Sequence, residues 1–415
     1  MFIKHRKDFG GTAFLFGRSR LEAEPAFPAA DFIHWSFVWS TFVAQPGNIL
    51  ITGGAGFIGC HLASELLEQN YHVRVLDGLS PQVHAKSEAP LNLAREVEFV
   101  RADICDTQAV TRALAGVDAV FHLAAAVGVG QSMYEIADYT RINNLGAATL
   151  CEAVSRNRIG RLIVASSMSV YGEGLYRSAA GEIHTNVERS VEQLRAHRWE
   201  PRDDFGEPLI PAPTPESKPP CLASIYALSK FDQERMCLLV GRAYGIPTVA
   251  LRFFNVYGPW QALSNPYTGV LTNFAARLLN DNQPLVFEDG MQQRDFVSVY
   301  DVARACRLAL ETPKAAGKVF NVGTGQPQTI LDLARRMARV LGRQYIDAHV
   351  LQQHRAGDIR HCFADIQFAR NVLAYEPRVA LDEGIDDLAA WLDTQRGDDR
   401  ALAASAELAA RGLVI

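Results

Sequence analysis

The stretch Ile49-Leu-Ile-Thr-Gly-Gly-Ala-Gly-Phe-Ile-Gly59 predicts a buried strand, a glycine-rich turn and the start of a helix. Its first residues are typical of a parallel strand, and Cys60–Glu68 continues with apolar residues at helical spacing. Gly53, Gly56 and Gly59 permit a tight turn, a close approach of the backbone to a pyrophosphate, and close helix–strand packing. Free N–H groups at the start of the helix favour a phosphate. The stretch therefore predicts a dinucleotide-binding turn.

A second strand and an acidic residue complete this unit. Tyr71–Leu76 has the apolar character of a strand, and Asp77 follows it directly. A carboxylate at this place can accept hydrogen bonds from both ribose hydroxyls of NAD and would repel the 2′-phosphate of NADP. Because strand, glycines, helix, strand and acid occur in the required order, the sequence predicts NAD as the cofactor.

The rest of the chain alternates between strands and helices. Further strands are expected at 97–100, 119–124 and 161–165, and a helix at 140–154. This alternation predicts an α/β fold with a doubly wound parallel sheet, in which ligands bind beyond the carboxyl ends of the strands. Ser167 lies at such an end, where a serine can serve function or can simply cap a turn or helix.

Tyr226 and Lys230 are candidates for proton transfer, since residues at i and i+4 share one face of a helix. A tyrosine with its ordinary pKa of about 10 is a poor base at neutral pH. A fixed positive charge beside it favours the phenolate, which can then take a proton from a substrate hydroxyl. Together with Ser167, the pair predicts a catalytic trio.

Composition is that of a folded enzyme with two subdomains. The chain has 415 residues, of which 48% are hydrophobic and 21% are charged. A net charge of −5 without a dense basic run excludes nucleic acid as the main partner. The seven cysteines are scattered and form no Cys-x-x-Cys motif. They predict reduced thiols in the cytoplasm, with neither a disulfide framework nor a metal site.

The first 47 residues do not follow the strand–helix pattern. Phe32–Ala44 is apolar but too short to span a bilayer, so no stable membrane insertion is expected. Three interpretations remain: a peripheral membrane anchor, a disordered or loosely docked extension, and a translation start near Val43. We favour the extension.

From residue 48 to 393 the chain resembles the extended short-chain dehydrogenase/reductases of the NAD-dependent sugar epimerase/dehydratase family. The resemblance rests on several motifs, namely Thr52–Gly59, His122–Ala125, Asn143–Gly146, Ser166–Gly172, Tyr226–Lys230, Leu251–Pro259, Gln293–Val297, Val319–Gly325 and Arg355–Asp358. It implies a Rossmann domain over 48–250 with an insertion at 173–223, and a mainly substrate-binding subdomain over 251–393. Residues 296–325 would return to the Rossmann domain, 394–415 would form a tail, and two helices, 140–154 and 226–244, would pair in a homodimer.

The resemblance also assigns roles to the cofactor and catalytic residues. Tyr226 would be the base, with Lys230 lowering its pKa and binding the nicotinamide ribose, and Ser167 would bond the reacting sugar hydroxyl. Asp103 would contact the adenine. The residues expected to contact NAD are Gly53, Gly56, Phe57, Ile58, Gly59, Asp77, Asp103, Ile104, Leu123, Ala124, Ala125, Tyr226 and Lys230.

The implied substrate is a nucleotide-diphosphate sugar. Asn255, Arg294 and Arg355 match positions that hold the diphosphate, for which the arginine fork is suited, although each arginine could instead form a salt bridge. Ser132, in the loop 129–132, is expected to line the sugar site. Segments 265–271 and 284–287 are expected to contact the base, while Phe287 could equally belong to the core. Asn143 could be structural or part of a proton relay.

Departures from the family pattern narrow the reaction. The 4,6-dehydratases carry an Asp-Glu pair where this chain has Met168 and Ser169, and the sugar-acid decarboxylases carry a Glu at the position of Ser169. Neither residue transfers a proton near neutrality, so elimination and decarboxylation are disfavoured. Trp260 replaces a small residue or an arginine that is common in the family. Ser298 replaces a common histidine.

A 4-epimerase remains, in which Tyr226 takes the proton of the C4 hydroxyl and the hydride returns to the opposite face of a 4-keto sugar. Ala124–Tyr134, Glu173–Tyr176 and Gln261–Tyr267 resemble the dTDP-L-rhamnose 4-epimerase group. An NAD(P)H-dependent 4-keto-sugar reductase and a non-catalytic NAD-binding protein are the alternatives. The insertion is expected to cover the sugar pocket, since both its ends lie near the active site.

Overall fold

The computed structural model describes residues 47–84, 92–157, 159–261, 269–392 and 401–414. The extension predicted for residues 1–47 and the predicted base contacts at 265–268 therefore lie outside the described residues, apart from Gly47. The strands, in chain order, are β1 Asn48–Thr52, β2 His72–Asp77, β3 Glu98–Arg101, β4 Ala119–His122, β5 Arg161–Ser167, β6 Leu175–Arg177, β7 Ile183–His184, β8 Ile210–Ala212, β9 Thr248–Phe253, β10 Asn255–Tyr257, β11 Leu285–Val286, β12 Gln293–Ser298, β13 Val319–Val322, β14 Pro327–Thr329, β15 His349–Val350 and β16 His361–Cys362.

The helices alternate with these strands. In chain order they are α1 Phe57–Glu68, α2 Thr107–Ala113, α3 Val129–Ser132, α4 Ile136–Tyr139, α5 Gly146–Ser155, α6 Val191–Arg195, α7 Ile225–Tyr244, α8 Val270–Leu279, α9 Val299–Glu311, α10 Ile330–Val340, α11 Gln367–Leu373, α12 Leu381–Leu392 and α13 Ala401–Ala410. No helix in the described part of the chain is long and apolar enough to cross a membrane.

A seven-stranded parallel sheet forms the larger core. Its strand order is β13-β9-β5-β4-β1-β2-β3, and every neighbouring pair is parallel. One face packs against Leu62 of α1 and Val302 of α9. The other face packs against Val110, Leu150 and Cys237, from α2, α5 and α7. Because helices cover both faces, the strands are almost wholly apolar. The predicted doubly wound α/β fold is confirmed. We call this sheet and its helices the cofactor half.

A second core, which we call the substrate half, lies in the C-terminal part of the chain. Helices α8, α10 and α12 bury Phe274, Leu333 and Leu388 together. Short strands accompany them: β12 pairs with β10, β14 and β16, and β11 pairs with β15. The predicted domain limits remain a prediction, although β9 runs across residue 250 and β13 returns to the seven-stranded sheet.

The helix expected at 140–154 is continuous but not uniformly α-helical. A π-helix occupies Thr140–Leu145, and α5 begins at Gly146. The widened turn carries Asn143, which is fully buried and bonds the backbone of Ala126 through both ends of its amide. Such turns often occur at functional sites, and this one lies beside the loop that follows β4.

The insertion at 173–223 folds into ordered structure of its own. Strands β6, β7 and β8 form an antiparallel sheet in the order β7-β6-β8, and α6 lies between β7 and β8. Ser190 caps α6 by accepting a hydrogen bond from the Gln193 N–H. This segment leads directly into α7, which begins after Ser224 and ends at Gly245, where φ is 68°.

Candidate active site

The glycine-rich turn links β1 to α1 and fits a pyrophosphate. A Cβ on Gly53 would lie 2.6 Å from the backbone nitrogen of Ala124, and Gly53 has φ +70°, so only glycine suits this position. A Cβ on Gly59 would lie 2.4 Å from Cα of Gly54, which shows how closely helix and turn pack. Gly56 precedes α1, and no side chain caps the helix there. The N–H groups of its first turn can therefore bind phosphate oxygens.

Asp77, at the end of β2, lies beside this turn as the sequence predicted. Its carboxylate accepts hydrogen bonds from the backbone N–H groups of Ala55, at 3.0 Å, and Leu79, at 2.9 Å. These bonds join the glycine turn to β2. Each carboxylate oxygen has a further lone pair for a ribose hydroxyl, and that contact remains a prediction, as do those of Phe57 and Ile58.

Asp103 and its neighbours follow β3. The Asp103 carboxylate accepts bonds from the Cys105 N–H and from Arg141, both at 2.9 Å. Burial raises the pKa of this carboxyl, but the two bonds outweigh it and hold the pKa below its ordinary value. Ile104 is buried against Gly146. The loop Leu123–Ala125 follows β4. The adenine contact of Asp103 remains a prediction.

Two of the predicted catalytic residues, Ser167 and Tyr226, come together at the carboxyl end of β5, and Lys230 lies one turn further along α7. Ser167 is the last residue of β5, and Tyr226 lies in the first turn of α7. Both the N–H and the hydroxyl of Ser169 donate to Oγ of Ser167, at 3.2 and 3.0 Å. The Ser167 side chain also interacts with Tyr226, whose pKa it lowers. Ser169, which the sequence marked only as a missing acid, thus orients the side chain of Ser167.

The pKa of Tyr226 differs from the sequence prediction. Burial raises it above its ordinary value, and the bond to Ser167 offsets this only in part. Lys230 is not among the causes of this shift. Its ammonium donates to Oε1 of Gln233 at 2.6 Å. Burial lowers the pKa of Lys230 to about 8.

Gln233 belongs to a buried polar chain that the sequence analysis missed. Its Nε2 lies 3.3 Å from both the Ala124 carbonyl oxygen and Nε2 of His122. Burial lowers the pKa of His122 to about 3, so the ring is neutral and its Nε2 can accept this bond. Nδ1 of His122 lies 2.8 Å from Oγ1 of Thr52. This series of hydrogen-bonded side chains thus connects Lys230 to the ends of β1 and β4.

Ser132 and Asn143 hold the catalytic helix from the other side. Ser132 is fully buried, donates to the Val129 carbonyl at 2.6 Å and accepts from the Tyr226 N–H at 3.0 Å. Asn143 donates to Oγ of Ser229 at 2.8 Å. Both residues therefore position α7. The sugar contact predicted for Ser132 remains a prediction, and so does a proton relay through Asn143.

The predicted diphosphate-binding residues lie in the substrate half. Arg294, on β12, donates to the backbone carbonyls of Gln293, at 2.9 Å, of Arg360, at 2.8 Å, and of Ile359. None of the described carboxylates forms a salt bridge with it, so its positive charge lacks a counter-ion there. Oδ1 of Asn255 is buried without a partner among the described residues. The Arg294 cation suits an anionic ligand, whereas the Asn255 oxygen, an acceptor, needs a hydrogen-bond donor such as a hydroxyl or N–H group.

Arg355 is held differently. Its Nε donates to Asp358 at 2.8 Å, and its guanidinium lies 4.3 Å above the ring of Phe287. Phe287 thus supports an arginine, which is compatible with either of its two predicted roles. The side chain of Arg355 is 40% exposed, so it can reach a ligand.

Buried charges join the insertion to this arginine-bearing region, a feature that motif matching could not reveal. Arg189 pairs with Glu173 at 3.2 Å and with Glu288 at 2.7 Å. Arg360 pairs with Glu288 at 2.8 Å, and its backbone N–H donates to Glu173 at 2.7 Å. Glu200 also pairs with Arg360. The insertion therefore fixes the segment 358–361, whose carbonyls hold Arg294.

Trp260 and Ser298, two of the residues that depart from the family pattern, have structural roles. Trp260 stacks on the ring of His61 in α1, with centroids 4.1 Å apart, and adopts a φ of 71°. Ser298 caps α9 by accepting a bond from the Tyr300 N–H. Trp260 therefore packs against the helix of the glycine turn.

Comparison with known proteins agrees with this geometry. A family model described as the NAD dependent epimerase/dehydratase family matches residues 49–195 and 204–323. A dTDP-L-rhamnose 4-epimerase of Burkholderia thailandensis is 35% identical over 351 residues, which are 83% of this chain and 94% of that protein.

Solved structures show the same fold. A UDP-glucose 4-epimerase of Thermotoga maritima, with UDP-glucose, is 31% identical and has a TM-score of 0.69, with 84% of this chain and 99% of that chain covered. A UDP-glucuronic acid 4-epimerase of Bacillus cereus, in complex with UDP-glucuronic acid and NAD, is 29% identical and has a TM-score of 0.69, with the same coverage of the two chains. With the glycine turn, Asp77 and the Ser167–Tyr226–Lys230 trio in place, this chain belongs to the NAD-dependent epimerase/dehydratase family of extended short-chain dehydrogenase/reductases.

Proposed function

We propose that this protein is an NAD-dependent nucleotide-sugar 4-epimerase that works through a 4-keto intermediate. One observation supports it most: Ser167 at the end of β5 interacts with Tyr226 of α7, and the two positions after Ser167 carry no carboxylate. Met168 is buried in an apolar cluster with Val170, and Ser169 is bonded to Ser167. The site can therefore move a proton and a hydride, but those two positions lack the acid and base for eliminating water.

The residues of the chain divide this work. Tyr226 takes the proton of the C4 hydroxyl, and the Ser167 hydroxyl stabilises the charge that develops on the oxygen. Lys230, charged below a pH of about 8, favours the phenolate form of Tyr226 once Gln233 releases or shares it. Bound NAD accepts the C4 hydride and returns it to the opposite face. Asp77 favours NAD over NADP through the repulsion of a 2′-phosphate.

The substrate class follows from the substrate half. The guanidinium forks of Arg294 and Arg355 suit a diphosphate. Asn255 adds an amide on β10, the strand that pairs with the Arg294 strand. We extend the proposal to dTDP-L-rhamnose, because the dTDP-L-rhamnose 4-epimerase matches over most of both chains. UDP-sugars are the competing substrates, since the two structural relatives bind them.

We further propose a homodimer formed by the π-helix with α5 and by α7, in the cytoplasm. Leu145 and Leu239 are each 53% exposed on neighbouring parts of these helices, and Met236 lies between them. A second copy would cover this apolar face, and Leu239→Glu should yield monomers in light scattering. The cysteines are all free, which suits a reducing compartment.

The test is incubation of the purified protein with dTDP-L-rhamnose, without added NADH, followed by NMR of the product. Conversion to the C4 epimer is expected, with UDP-glucose and UDP-glucuronic acid as comparison substrates. In a separate reaction with added NADH and a dTDP-4-keto sugar, reduction with stoichiometric consumption of NADH would identify the protein as a reductase. Absence of conversion for every dTDP- and UDP-sugar would exclude the epimerase.

A further inference from the structure

The C-terminal segment 401–414 is a structured element that the family match, which ends at residue 323, does not cover. It begins with α13, whose Ala404 and Leu408 are buried. Gly412, with φ +70°, ends the helix: its N–H donates to the Ala409 carbonyl, and the Leu413 N–H donates to the Leu408 carbonyl at 2.9 Å. The chain is thereby directed away from the helix axis.

After this turn the segment pairs with the backbone of the predicted diphosphate-binding motif. The Ala356 N–H donates to the Leu413 carbonyl at 2.9 Å, and Arg355 forms an antiparallel bridge with Val414. The backbone of Arg355 is thus held between two supports, the Asp358 turn on one side and Val414 on the other.

The motif that the segment holds lies against the catalytic helix. A Cβ on Gly357 would be 3.3 Å from Cγ1 of Val129 and 3.4 Å from the carbonyl oxygen of Ala223. Ala223 comes three residues before Tyr226, and Val129 begins the loop predicted to line the sugar site. A displacement of this turn would therefore disturb both Val129 and the residues that precede Tyr226.

The same segment also contacts the cofactor half. The Arg411 guanidinium lies 4.0 Å above the ring of Tyr134, and a cation in that position is attracted by the ring. Tyr134 lies two residues after α3, which holds the predicted sugar-site residues 129–132. Segment 401–414 therefore bridges the end of α3 and the Arg355 turn, which come from different halves of the molecule.

We propose that segment 401–414 is part of the nucleotide-sugar site and positions Arg355 for the diphosphate. The inference rests on the proposed function for the chemistry of the ligand, a nucleoside-diphosphate sugar. Holding the turn in place before the ligand arrives reduces the ordering that binding would otherwise require. By reciprocity, a bound nucleotide sugar stabilises the docked segment.

The test compares Gly412→Val with Gly342→Val. Both glycines follow a helix with positive φ, +70° and +66°, and neither has any atom within 4 Å of the added Cβ. Local strain is therefore matched, but only Gly412 directs the chain to Ala356. Calorimetry on NAD-loaded protein should show that Gly412→Val raises the dissociation constants of dTDP-L-rhamnose and UDP-glucose about 5- to 10-fold, which is about 1 to 1.4 kcal/mol. Gly342→Val should raise them less than about 2-fold.

Binding can be measured without turnover, so this result is independent of whether the sugar is epimerised. Equal affinities in the two variants would overturn the proposal, and so would a failure of the unaltered protein to bind any nucleotide sugar. Binding without epimerisation would instead contradict only the proposed function. As a second measurement, nucleotide sugar should slow trypsin cleavage after Arg411; an unchanged rate would count against the proposal.

Discussion

The cofactor half and the substrate half are built on different principles. In the cofactor half, the glycine turn, Asp77 and the loop after β4 all lie within residues 48–125, on strands packed by apolar side chains. In the substrate half, buried Arg360 binds Glu200, which is 160 positions away, and Glu288, which is 72 away. Because the two halves are held by different contacts, substrate affinity and NAD binding should respond to separate sets of mutations.

The largest effect on activity is expected for Tyr226→Phe, a substitution at the place where the two halves meet. The variant loses the group that transfers the proton, so kcat should fall about 10²- to 10⁴-fold. The NAD content, measured by absorbance after denaturation, should not change. Tyr139→Phe is the matched control, since its hydroxyl bonds Gln131 and its ring lies edge-on to Tyr226. A similar loss in both variants would mean that packing, rather than proton transfer, is being measured.

Arg189→Met breaks the charge network of the substrate half and should destabilise the protein strongly. Glu173 and Glu288 would each lose a buried partner, and such a loss destabilises by about 3 to 5 kcal/mol. KM for the nucleotide sugar should rise as the segment 358–361 loosens. In urea unfolding, Arg307→Met is the control, because its pairs with Glu65 and Glu311 in the cofactor half are more exposed and should contribute about 1 kcal/mol or less. Equal effects would contradict the comparison.

Arg294→Met should raise KM without affecting bound NAD. Two charge-assisted bonds to the diphosphate would be lost, and about 1.5 to 3 kcal/mol corresponds to a 10- to 150-fold change. Arg294→Lys keeps the charge but lacks the planar fork, so an intermediate KM is expected. A KM equal to that of the unaltered protein in both variants would remove Arg294 from the site.

The smallest effect should be a shift in the pH profile of Gln233→Met. Lys230 has a pKa of about 8, so its charge, and with it the rate, should decline as the pH rises through that value. Loss of the Gln233 acceptor disfavours the ammonium further and should move the alkaline limb to lower pH by about one unit. Gln233→Glu should move it the other way, since a carboxylate favours the charged lysine. If the rates of Gln233→Met and Gln233→Glu decline over the same alkaline pH range, the bond to Gln233 does not stabilise the charged form of Lys230.

Local patterns explain why much of the cofactor half could be predicted. Gly53, Asp77 and the i, i+4 pair of Tyr226 and Lys230 are close in the chain, and regular geometry fixes where they point. The direction of the pKa shift of Tyr226 could not be predicted from the Lys230 spacing, since it is set first by burial, which depends on the whole fold. Gln233 itself, at i+3 from Lys230, could have been found from helical spacing.

The substrate half could be predicted only through family motifs. Nothing in the sequence says that Glu173 and Arg189 will meet Arg360, because their approach depends on how the insertion folds. The pairing of Leu413 with Ala356 is equally long-range, and an alanine-rich tail carries no pattern that would indicate it. The expectation that the insertion covers the sugar pocket remains a prediction, while its buried charges identify it as a support for Arg294.

The most direct test of the central claim uses dTDP-L-rhamnose carrying deuterium at C4. The account predicts that the C4 epimer forms without added NADH and keeps the deuterium at C4, because the hydride leaves and returns within one site. Product that has exchanged this deuterium for solvent hydrogen, or a keto sugar released with stoichiometric reduced cofactor, would contradict it.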